Sequence, residues 1–119
     1  MKYALLLSGI VELVGGIIVY FFPSLIFNIS YNSVSVLNIY GLMASIIGII
    51  NIYGFLHFDE NKFFRILFMC MMFFHGALSL ILFRFSDKII TYALGATICH
   101  LSIFAFFVLS YLKAVKPDS

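Results

Sequence analysis

Apolar residues run almost unbroken over about 3–22, 34–58, 63–83 and 89–112, and polar residues collect in the three gaps between these runs. A helix of about 20 residues crosses the hydrocarbon core of a bilayer, and each run is long enough to do so. The pattern therefore predicts an all-α integral membrane protein, an antiparallel bundle of four transmembrane helices forming a single domain over 1–119. Pro23, Asn28, Ser30, Asn32, Ser33 and Ser35 punctuate the first gap, HFDENK (57–62) the second and RFSDK (84–88) the third. Connections this short make neighbouring helices antiparallel.

The first run carries Glu12 and lacks a small-x-small cleavage pattern, so it reads as a retained span and not as a secretory leader. Lys2, Lys62, Arg65, Lys113 and Lys116 fall on the side shared by both termini, against Arg84 and Lys88 on the other. Positively charged loops stay in the cytoplasm, which predicts a multi-pass protein with both termini inside. Tyr3, Tyr20, Tyr40, Tyr92 and Tyr111 lie near span ends and read as interfacial anchors. Asn28-Ile29-Ser30 fits a glycosylation acceptor formally, but nothing else points to a secretory host.

Composition sharpens the picture. The chain is 64% hydrophobic and 10% charged, against about 45–50% and about 25% in soluble domains. The four spans leave no room for a soluble catalytic domain. The net charge of +2 comes from scattered Lys and Arg, with no basic stripe, so nucleic acid is not an expected partner. Cys70 and Cys99 lie inside apolar runs without CxxC spacing and read as buried thiols.

Ionisable residues at mid-span are the candidates for chemistry. A carboxylate at the bilayer centre costs about 2.5–3.5 kcal/mol even on lenient insertion scales, so Glu12 needs a reason to be there. At about 100° per residue, Ser8, Gly9, Gly15, Gly16 and Val19 share its face, a strip of small residues that turns Glu12 into the bundle. On the second run Asn38, Gly41, Ala44, Ser45, Gly48 and Asn51 occupy one side, with Asn51 read as an interhelical hydrogen-bond partner. Those two small-residue faces serve an intramolecular contact or a homodimer. His75 shares a face with Met71, Met72 and Ser79, and His100 with Ala93, Ala96, Thr97 and Phe104.

Antiparallel packing brings Glu12, His75 and His100 to similar depth, where they form a protonatable polar pocket with Asn51 in support. Three uses follow from the residue types: a transition-metal site, a bis-histidine haem site and a proton relay. A fourth use is purely structural, with the polar groups locking helices together. His57 borders the charged second gap and reads as a water-facing residue. The sequence carries no nucleophile and base pattern, phosphate loop or paired-carboxylate motif specific to an enzyme. The leading reading is a small membrane protein whose pocket binds a small hydrophobic or lipid-like ligand, or which acts as an accessory component within the lipid bilayer.

Glu12-Leu13-Val14-Gly15-Gly16, Phe22-Pro23-Ser24-Leu25, Gly41, Gly48 and Ala96-Thr97-Ile98-Cys99-His100 together resemble a group of small four-span bacterial membrane proteins. The resemblance implies the four-span architecture and a place in the bacterial inner membrane, and it adds weight to Glu12 and His100. Phe74-His75 stands where that group commonly has Tyr-Asn, which favours a polar network that Asn or His can complete over a haem site. Glu12 followed by Gly15 is similar to the first helix of small multidrug resistance transporters. That resemblance implies a glutamate exchanging protons for cationic drugs in a dimer. This chain departs from those transporters in having no tryptophan and in lacking their third-span signature.

Overall fold

Pro23 ends the first helix because it restricts the residue before it to non-helical backbone, and Phe22 takes φ −135°, ψ 55°. In the computed structural model, which describes residues 1–28, 33–84 and 93–115, that helix is α1, Lys2–Phe21. Pro23–Leu25 continues as one 3-10 turn, with the Ile26 and Phe27 amides donating to the Pro23 carbonyl. Then come α2, Val34–Leu56, α3, Phe63–Arg84, and α4, Ala93–Val115. All four are long and apolar enough to cross a membrane. They cover the four expected runs, with shifts at two ends: α2 stops at Leu56, leaving Phe58 buried inside the turn, and α4 runs on to Val115, past the expected 112. Residues 89–92 of the fourth run, with Tyr92, and Lys88 and Lys116 of the charge count, lie outside the described residues.

The turn between α2 and α3 is held locally. Asn61 Oδ1 accepts from the Phe63 amide at 2.8 Å, the Asx turn that opens many helices. His57 Nδ1 meets Glu60 Oε2 at 2.8 Å, and Lys2 donates to Asp59 at 3.0 Å. The Lys2 contact places the start of α1 at the same end of the bundle as the α2–α3 turn.

Two hairpins make up the bundle. α1 packs most extensively on α2, α3 on α4, and α1 also touches both helices of the second hairpin. The α1–α2 contact is backbone on backbone. A Cβ at Gly16 would sit 2.5 Å from the Ser45 amide, one at Gly41 2.5 Å from that of Tyr20, and one at Gly48 2.5 Å from that of Leu13. Gly9 meets Gly48 in the same way, at 3.0 Å from its carbonyl oxygen. Gly9 and Gly16 on α1 face Gly48 and Gly41 on antiparallel α2, each pair two helical turns apart. Gly15, in the same small-residue strip, has open space where a side chain would be.

Packing elsewhere is divided by depth. On the half of the bundle bearing the α2–α3 turn, Ala4, Leu5, Phe58, Phe64, Phe68, Met71, Met72, Ile103 and Phe107 form the apolar core. The rings of Phe68 and Phe107 lie 4.8 Å apart at its centre. Polar side chains lie inside and large apolar ones outside: Ser8, Asn51 and His75 are wholly buried, whereas Phe73, Leu80 and Leu94 are about two-thirds exposed. Water would favour the reverse, and lipid favours this arrangement. The same solvent logic corrects the reading of the cysteines. Cys70 and Cys99 are exposed on the outer surface, because a thiol is apolar enough to face that surface and the inward positions go to Met71, Met72 and His100.

The glycine contact gives a direct test. Gly48→Ala and Gly16→Ala force the α1 and α2 backbones apart and destabilise the bundle by about 1–3 kcal/mol, whereas Gly15→Ala stays within about 1 kcal/mol of the parent and on the stabilising side, because Ala favours helix. Thermal or denaturant unfolding of the purified chain in detergent reads the difference. Equal effects at positions 15 and 16 would contradict the contact.

Candidate functional site

Ser8 lies one residue before Gly9, so the close approach of α2 brings Asn51 within reach of a side chain as short as serine. Asn51 Nδ2 donates to Ser8 Oγ at 3.0 Å. Ser8 Oγ is also 2.7 Å from His75 Nε2 on α3, and His75 Nδ1 is 2.8 Å from His100 Nδ1 on α4. One hydrogen-bonded chain, Asn51–Ser8–His75–His100, thus crosses all four helices. The two imidazoles lie 5.1 Å apart with planes inclined by 25°. A bond between two Nδ1 atoms needs a proton on one and a lone pair on the other. The Ser8 hydroxyl donates to His75 Nε2 when His75 carries its proton on Nδ1, and accepts when the proton is on Nε2.

Glu12, one turn beyond Ser8, stands beside this chain without completing it. Its Oε1 is 3.9 Å from His75 Nδ1 and 3.9 Å from His100 Nδ1, beyond hydrogen-bond reach of both. The residue is 5% exposed, and Oε1 is buried without a hydrogen-bond partner. Asn51 Oδ1 and Thr97 Oγ1 are buried in the same unpaired state. Each such group left without a partner costs about 1–3 kcal/mol, more when charged.

A cavity of about 90 Å³ opens beside the carboxylate. Glu12, Gly15, Tyr40, Ala96 and His100 line it, and Ile26, Phe27 and Leu82 extend it toward the end of the bundle that carries the Pro23 turn. It has room for a few water molecules. Drug-sized ligands occupy pockets of about 300–1,000 Å³. Two larger concavities, one at Tyr53, His57 and Glu60 and one between Phe73, Leu80, Leu101 and Phe104, do not reach Glu12.

The structure therefore brings Glu12, His75, His100 and Asn51 to one place, with ligand-capable atoms of Glu12, His75 and His100 all within 4.8 Å of one another. His57 stays at the α2–α3 turn. Three contributors were less visible in sequence. Ser8 reads as one more small residue, although its position four before Glu12 puts it on the same face. Tyr40 reads as an anchor but also lines the cavity, and Thr97 gains its interest from being buried and unpaired. The arrangement does not suit haem: axial ligands on opposite faces of one iron stand about 4 Å apart at metal–nitrogen bonds of about 2 Å, whereas these two Nδ1 atoms are 2.8 Å apart and bonded to each other.

If Ser8 joins Asn51 to His75, the two links are coupled. Ser8→Ala and Asn51→Ala each destabilise by about 1–3 kcal/mol, and the double variant by less than their sum, with a coupling of about 0.5–2 kcal/mol in a double-mutant cycle. Strict additivity would show that the chain of bonds is absent in solution. The chain as a whole matches no family model, no curated protein and no solved structure.

Proposed function

We propose that this is a multi-pass protein of the bacterial inner membrane, both termini in the cytoplasm, whose polar centre binds a small ligand at Glu12. The apolar exterior and polar interior support insertion, and the grouping of Lys2, Lys62, Arg65 and Lys113 at one end supports the orientation.

One observation carries the ligand: Glu12 Oε1 is buried, has no hydrogen-bond partner and borders a small cavity. A group held in that state is completed by something that brings a positive charge or a hydrogen-bond donor. Glu12 is the protonatable group of the pocket, His100 forms its second wall, and His75, Ser8 and Asn51 hold the histidine pair in position. The cavity's size favours a ligand of a few atoms over a drug-sized cation, which sets this reading ahead of multidrug transport.

A purely structural role is the competing outcome, and complementation separates the two. Glu12→Gln keeps the shape of the side chain and removes its charge. In cells lacking the native gene, Glu12→Gln expressed at normal abundance reproduces the loss seen on deletion, and His100→Asn does so at least partly. Full complementation by both variants would assign the polar centre to helix packing alone.

A further inference from the structure

His75 Nδ1, His100 Nδ1 and Glu12 Oε1 form a triangle with sides of 2.8, 3.9 and 3.9 Å. The point equidistant from its corners lies about 2.1 Å from each, which is the bond length of a first-row metal to imidazole nitrogen and carboxylate oxygen, about 2.0–2.2 Å. The residues come from three different helices, α1, α3 and α4. We propose that the ligand of this site is a divalent first-row transition-metal ion, bound by those three atoms.

Several features suit that ligand. Two imidazoles and one carboxylate favour zinc or iron(II) over magnesium or calcium, which prefer all-oxygen shells. The buried, unpaired carboxylate oxygen of Glu12, a residue only 5% exposed, gains the positive partner it lacks. The cavity beside Glu12 and His100 has space for a water molecule as a fourth ligand, and its Ile26, Phe27 and Leu82 lining leads toward the end of the bundle opposite the termini.

The rest of the polar chain acts as support. For both Nδ1 atoms to offer lone pairs, each imidazole must carry its proton on Nε2. His75 Nε2–H then donates to Ser8 Oγ at 2.7 Å, while the same oxygen accepts from Asn51 Nδ2 at 3.0 Å. A serine oxygen has two lone pairs for these two donors. Such an outer partner fixes the tautomer and ring orientation of a ligating histidine. In the structure the two rings meet head-on, Nδ1 to Nδ1, so binding turns both imidazoles toward Glu12 and replaces their hydrogen bond by two metal bonds, with Ser8 as a positioning residue.

Cobalt(II) and zinc(II) titrations of the purified full chain in detergent test the proposal. The wild type is expected to bind one equivalent of cobalt(II), seen as visible d–d absorption, and zinc(II) displaces it. Glu12→Gln and His100→Ala lose that spectrum, and Ser8→Ala keeps it while weakening binding about 10- to 100-fold. His57→Ala, at the exposed turn, leaves stoichiometry and spectrum unchanged. X-ray absorption on the zinc-loaded wild type needs no variant to fold and is expected to show a nitrogen and oxygen shell with two imidazoles. Sulfur in that shell, or cobalt binding that Glu12→Gln and His100→Ala leave intact, overturns the inference.

This inference rests on the binding role proposed for Glu12, and the two fail separately. A wild type that binds neither metal, with Glu12→Gln still failing to complement, overturns the metal and leaves the binding role standing.

Discussion

The backbone contact between α1 and α2 sets the distances on which the polar centre depends. At Gly16, Gly41 and Gly48 the neighbouring helix occupies the space a Cβ would need. Ser8 sits next to Gly9, and its hydroxyl reaches only as far as a two-atom side chain allows. The Ser8–Asn51 bond of 3.0 Å therefore exists because the two helix axes are drawn together there. Separating the backbones by one ångström would carry that bond past the limit of useful hydrogen-bond geometry. It would also release the end of the chain that orients His75. Glycine packing and imidazole geometry, distant in sequence, are thus one mechanical problem.

Depth divides the remaining work. The aromatic core around Phe68 and Phe107 fills the half of the bundle near the α2–α3 turn, and the ring of Phe107 lies 5.9 Å from that of His75, centre to centre. The other half holds α1 and α2 together by small residues, and small residues fill less volume. Gly15 and Ala96 leave the space beside Glu12 that becomes the cavity. The polar belt lies between a dense half that fixes its side chains and a loosely filled half that holds the cavity.

Hydropathy made the four helices legible, since their lengths and order depend on local composition. The inward direction of Glu12 and the small-residue faces were legible for a similar reason, because helical period converts spacing into a face. What spacing does not convey is which member of a face meets which neighbour. Gly15 and Gly16 are adjacent in sequence, yet only Gly16 touches α2. The sharing of Ser8 between Asn51 and His75 involves three helices, and no periodicity in one of them encodes it. The cysteines illustrate a different failure. Lying in an apolar run does not say which face a thiol takes, and both cysteines take the outer one.

Glu12 separates a packing network from a binding one. A network whose only task is to join helices reaches its lowest energy when every member is paired, and Asn51 Nδ2, Ser8, His75 and His100 largely meet that condition in a single line. Such a line would be as well satisfied with leucine in place of the carboxylate, and cheaper to insert by about 2.5–3.5 kcal/mol. Instead a carboxylate oxygen lies 3.9 Å from two imidazole nitrogens, too far to bond either and near enough for both to share one ion with it. Direct pairing to one histidine would bring the oxygen to about 2.8 Å and leave the other histidine out. The equal separation is the observation on which the proposed shared ion rests.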